Sequence, residues 1–80
     1  MTVDIHELQK HVGRSVELRF NDGYVARVRL IDADPDSAPN ELIYDVLEVL
    51  NWGGLDPGKV DLESAHAASV ADLASWRVVP

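Results

Sequence analysis

Residues 13–34, GRSVELRFNDGYVARVRLIDAD, decide the fold of this chain. Val16, Leu18 and Phe20 alternate with Ser15, Glu17 and Arg19, which is the period of two of a strand with one buried face. Asn21-Asp22-Gly23 breaks the alternation. As a three-residue loop, a type I turn closed by Gly23 in the left-handed region, it sets Phe20 opposite Tyr24, Leu18 opposite Ala26 and Val16 opposite Val28. Glu17 then faces Arg27. A two-residue Asp22-Gly23 loop would set Leu18 against Arg27, mixing a core residue with a charge on one face, and register is set against such mixing.

Around this hairpin, 80 residues allow one domain spanning 1–80. A chain this short buries only about 60% of its unfolded surface, so self-association is an expected aid to stability. No cysteine is present, which excludes a disulfide framework, a cysteine zinc site and a thiol nucleophile, and accords with a reducing compartment. No run approaches the roughly 20 apolar residues of a membrane span, and the opening MTVDIHELQK is acidic where a signal peptide is basic. The expected location is cytoplasmic, with no membrane partner. The net charge of −7 is uneven, residues 1–30 carrying +1 and residues 31–80 carrying −8. That balance opposes general nucleic-acid binding and favours solubility.

Residues 3–12 predict a short helix, with Asp4 and Glu7 at capping spacing, Ile5, Leu8 and Val12 on one stripe and Gly13 as its stop. A second strand is expected over 24–31, followed by a loop, DADPDSAPN, with two prolines. Residues 41–50, ELIYDVLEVL, fit two readings. Leu42, Ile43, Val46, Leu47 and Leu50 have helical spacing with Asn40 as a cap and Gly53 as a close, whereas Ile43, Tyr44, Val46 and Val49 favour a strand. The strand is preferred because an isolated hairpin needs a third strand to be stable in water. NWGGLDPGK is a loop. Residues 60–70 are alanine-rich enough for a helix, yet 65–70, a tight turn and 74–79 read as strand, turn, strand. The fold class is mainly β, a small, strongly bent, five-stranded antiparallel barrel with a short N-terminal helix.

A helix, a glycine, a V-x-L-x-F strand, an Asp-Gly turn and a second strand ending L-x-x-x-D resembles the first signature of the Sm-like proteins, on Gly13, Val16, Leu18, Phe20, Asp22, Gly23, Leu30 and Asp34. The pattern covers about a quarter of the chain. It departs from the family at Val28, where a glycine bends the second strand, and at Asn40, displaced by extra loop residues. Val70-Ala71-Asp72-Leu73 stands where the family has its second, RNA-contacting signature. This turn is similar to SH3-like barrels more generally and to small bacterial Sm-like proteins. The resemblance implies a barrel that assembles into homo-oligomers, with RNA as a possible but disfavoured partner.

Candidate chemistry is sparse. Asp32, Asp34 and Asp36 alternate like the start of a calcium loop, but Ser37 replaces the turn glycine, Pro35 stiffens the interior and Ile43 sits where the closing glutamate belongs. His6 and His11 are five apart and point to different helix faces, and His66 has Asp61, Glu63 and Asp72 near it in sequence but no second histidine. No metal or cofactor is expected. Ser64, Ser69 and Ser75 lack a nucleophile context, and Gly53-Gly54 lacks the lysine of a phosphate cradle, so an enzyme is not expected. Arg19, Arg27 and Arg29 form a candidate binding patch on the outward face of the hairpin, with Glu17 among them in an ion-paired sheet face. Trp52 and Trp76 are the available stacking rings.

The expected function is a non-enzymatic binding or assembly module that pairs with itself through edge strands, burying Val70, Trp76 and Val78. An RNA-binding Sm-like protein and a regulatory domain offering an acidic face to a basic protein are the alternatives.

Overall fold

Alternation of Val16, Leu18, Ala26 and Val28 produces the register it dictates. Val16 lies opposite Val28, Glu17 opposite Arg27 and Leu18 opposite Ala26. The Gly23 N–H donates to Phe20 O at 3.1 Å and the Phe20 N–H donates to Tyr24 O at 2.8 Å. Gly23 sits at φ +94°, a region open to glycine without a Cβ penalty, and the Asp22 carboxylate accepts the Tyr24 N–H at 3.0 Å.

The computed structural model describes residues 4–36 and 40–79. In chain order the elements are α1 (Ile5–Gln9), β1 (Ser15–Phe20), β2 (Val25–Asp34), β3 (Glu41–Asn51), a 3-10 turn (Pro57–Lys59), β4 (His66–Ser69), a second 3-10 turn (Val70–Asp72) and β5 (Leu73–Val78). The five strands form one antiparallel sheet in the order β4-β3-β2-β1-β5. Its inner face buries Val16, Leu18, Ala26, Val28, Leu30, Leu42 and Tyr44 together with Ile5 and Leu8 of α1.

The helix is shorter than its sequence stripe. Asp4 caps it by accepting the His6 N–H, while Glu7 pairs with Lys10 at 3.2 Å instead of reaching back to the cap. Beyond Gln9 the chain continues in tighter turns, with His11, Val12 and Arg14 each donating three residues back. These turns bring the Gly13 N–H to Leu30 O at 2.7 Å, which ties the chain to β2 and leaves Val12 exposed. The expected helix start at residue 3 and Ser37 of the acidic segment lie outside the described residues.

Residues 41–51 form a strand, and its irregular spacing has a definite cause. Val28 faces Val46 and Arg27 faces Glu48, leaving Leu47 without an opposite number. In the same way Leu50 is extra between Val49 and Asn51, and Ile31 is extra between Leu30 and Asp32. Each is a β-bulge, which bends the strands and flips the phase of alternation. The inward set therefore runs Leu42, Tyr44, Val46 and Val49, and adding the bulged leucines gives the appearance of a helical period. β2 also runs to Asp34, three residues beyond expectation, because Ala33 is buried opposite Leu42.

Sheet curvature follows from connectivity. β4 and β5 are the two edges of the sheet, yet only Val70–Asp72 joins them. In a flat five-stranded sheet the edges would be about 19 Å apart, whereas the four steps from Ser69 to Leu73 span at most about 14 Å. The sheet must curl. Asn21 holds the curl, its N–H donating to Asp72 O at 2.9 Å and its side-chain amide to Ala71 O at 3.0 Å. Val70 and Leu73 plug that end of the core.

Candidate interaction surface

Alternation along β1 sends Val16 and Leu18 to the core and Glu17 to the opposite face, but β5 on one side and β2 on the other put that glutamate among arginines. Glu17 is only 4% exposed. Its carboxylate meets Arg77 Nε at 2.9 Å and Arg19 Nε at 3.4 Å. Hydrogen bonding from Arg77 holds the Glu17 carboxyl below its ordinary value; desolvation opposes the effect and Arg19 reinforces it. The expected partnership with Arg27 is not the one made. Arg27 faces Glu17 in register but pairs with Glu48 of β3 at 3.3 Å, since β5 supplies Glu17 with a better-placed guanidinium. Arg27 Nε itself is enclosed without a hydrogen-bond partner among the described residues.

The patch expected from Arg19, Arg27 and Arg29 is thus a mixed surface. Two of the three are engaged with carboxylates, and Arg29, opposite Asp45, is in no ion pair among the described residues. Across the sheet the register aligns Arg77, Glu17, Arg27 and Glu48 on four adjacent strands. Charge alternates along the whole row. Leu47 and Leu50 lie on β3 on either side of Glu48, and Ile31 lies farther along β2; Ile31, Leu47 and Leu50 are 42%, 44% and 48% exposed. Sequence reading missed these aliphatics as surface residues because bulges, which decide their direction, leave only a broken period as a trace.

The edge residues fall differently from one another. Val70 is buried in its own core, in the turn before β5, and so is not an edge contact. Trp76 is half-buried, with its ring 5.3 Å from that of His11, while Val78 is exposed. Trp52 is also half-buried, 6.3 Å from the Tyr24 ring, so both indoles serve packing more than open stacking. On the opposite edge, His66 stacks on Tyr44 at 5.8 Å, and its Nε2 lies 2.6 Å from Asp61 O.

A shallow cleft of about 240 Å³ is lined by Phe20, Asn21, Asp22 and Asp72, where the hairpin tip meets the second 3-10 turn. Asp32 and Asp34 of the calcium-like alternation accept the nearby Ala33 and Asp36 N–H groups. Among the described residues no three histidine or acidic side chains converge on a point that would hold a metal ion, and no helix is long and apolar enough to cross a membrane. The serines singled out in sequence are also apart. Ser64 bonds Asp61, Ser69 caps the second 3-10 turn and Ser75 lies opposite Arg19.

No family model, curated protein or solved structure matches this chain.

Proposed function

We propose that this chain is a non-enzymatic assembly module of Sm-like type that joins copies of itself edge to edge, β5 of one copy continuing the sheet at β4 of the next. The observation that carries this reading is the direction of the β5 backbone. The Val79 N–H donates to Ser15 O at 3.2 Å across the β1–β5 ladder. Main-chain groups alternate along an antiparallel strand, so the N–H groups of Trp76 and Val78 point away from β1 toward the open edge. Such donors invite another strand, and an edge carrying exposed Val78 has little charge to deter one. Curling presents β4 and β5 near each other on one side of the sheet, a geometry that favours head-to-tail closure into a ring.

Light scattering during size-exclusion chromatography tests the reading. The expected mass is several times 8.8 kDa, and Val78→Pro, which removes an outward N–H without touching a β1 bond, lowers it. An unchanged mass in that variant, or a wild-type monomer at high concentration, overturns the proposal.

A further inference from the structure

The cleft between the hairpin tip and the second 3-10 turn is lined by Phe20, Asn21, Asp22 and Asp72, so it joins an aromatic ring to residues rich in oxygen acceptors. Hydrogen bonds within the fold decide which acceptors remain. Asn21 directs its amide nitrogen to Ala71 O, which leaves its side-chain oxygen open, and Asp22 uses one carboxylate oxygen for the Tyr24 N–H. The second Asp22 oxygen and the Asp72 carboxylate have no hydrogen-bond or ion-pair partner among the described residues. Behind them, Tyr24 and Tyr44 are each 5% exposed, with rings 5.4 and 6.3 Å from that of Phe20. Neither phenol is in a hydrogen bond among the described residues, and both sense the cleft. Burial raises each phenol, Asp22 raises Tyr24 further, and Tyr24 and Asp72 raise Tyr44 further. Two carboxylates without a countercharge, beside two buried phenols without a partner, lack both donors and positive charge.

We propose that this cleft takes the guanidinium of an arginine side chain from a basic partner protein. A guanidinium carries five donors in one plane, bonds carboxylates along its edge and lays its face on an aromatic ring. A divalent cation suits the site less well. Among the described residues no third acid or histidine joins the two aspartates, and the Phe20 ring offers such an ion no ligand. Charge also separates the macromolecules, because residues 31–80 carry −8, which attracts a basic segment and repels a phosphate backbone. The site is independent of strand-edge pairing, whose outward groups lie on Trp76 and Val78.

The test is amide-shift mapping on the isotope-labelled chain with a blocked Gly-Arg-Gly peptide, its lysine counterpart, and its citrulline counterpart, an uncharged isostere of the arginine one. Saturable shifts at Phe20, Asn21, Asp22 and Asp72 are expected with arginine, weaker ones with lysine and none with citrulline. Asp22→Asn keeps an oxygen for the Tyr24 N–H, and Asp72→Asn keeps the main-chain bond from Asn21, so both variants retain the fold. Each weakens arginine binding about three-fold, and the double variant abolishes it. Glu7→Gln, which removes one charge from α1, leaves it unchanged. Lysine or citrulline binding as well as arginine, an equal loss in Glu7→Gln, or binding that survives the double variant overturns the proposal. Shifts of the same amides on dilution without peptide overturn it too, by making a second copy the occupant.

Discussion

Glu17 and Arg77 are sixty residues apart in the chain and meet at 2.9 Å across β1 and β5. The pair ties the first strand to the last on the outer face, directly behind Val16 and Leu18 of the core. Its cost is the burial of a carboxylate, and two guanidinium groups offset it.

Because the folded chain holds the Glu17 carboxyl below its ordinary 4.5, the unfolded chain takes up its proton first as pH falls. The contribution of Glu17 is complete above that value and is lost as pH drops through the lower folded one. Urea midpoints measured from neutral pH to about pH 3 should therefore fall less steeply in Glu17→Gln than in the wild type. Parallel curves would contradict the assignment.

Two glycines are expected to differ in their tolerance of a side chain. At Gly23 a Cβ meets nothing closer than 3.7 Å, so Gly23→Ala costs only the positive φ, about 1 kcal/mol. At Gly53 a Cβ would lie 2.7 Å from Tyr24 N and 2.8 Å from Gly23 C, backbone atoms of the hairpin turn. Gly53→Ala should cost on the order of 3 kcal/mol in chemical denaturation. Equal effects would show that the Trp52–Gly53 loop is not packed on the hairpin.

Tyr44 supplies an alkaline signature. Burial pushes its phenol up to about 12 from 10, with Tyr24 and Asp72 adding to the shift. The neutral form is the one the fold favours, so stability is lost as pH rises from the unfolded value through the folded one. Phenolate absorbance should rise late and together with unfolding, and Tyr44→Phe should remove most of the coupling. A Tyr44 that titrates near 10 in the folded chain would contradict its burial.

RNA binding should be weak. A chain of net charge −7 repels a phosphate backbone, an assembly multiplies that repulsion, and Arg19 and Arg27 already face carboxylates. Fluorescence anisotropy with uridine-rich and adenine-rich RNA should show no tight complex at physiological salt. Any binding at low salt should fall steeply as salt rises and be lost on replacing Arg19, Arg27 and Arg29. Tight binding at physiological salt would favour the RNA-binding alternative.

The legibility of this fold follows its regularity. The β1–β2 register was readable because alternation ran unbroken to a turn that only Gly23 closes. Strand β3 was readable through the β-favouring Ile43, Tyr44, Val46 and Val49 and through the need for a third strand, while bulges at Leu47 and Leu50 disguise its period. The extension of β2 to Asp34 was hidden because Asp32 and Asp34 look like loop residues, while the buried partner of Ala33 is distant in sequence. On the surface, the charges at Glu17, Arg19, Arg27 and Arg29 were visible, but the long-range partners were not: Arg77 reaches Glu17 and Glu48 reaches Arg27 through strand order, which no local pattern encodes. Val70 looked like an edge residue from the strand pattern, and it turns inward because the 3-10 turn rotates it into the core.

Edge pairing is tested most directly by amide exchange at Trp76 and Val78. Neither N–H has a partner in β1, so their protection must come from another copy. The account predicts slow exchange at both amides at high protein concentration and fast exchange on dilution, while the Leu18 and Val28 amides stay slow throughout. Fast exchange at Trp76 and Val78 at every concentration would contradict assembly through this edge.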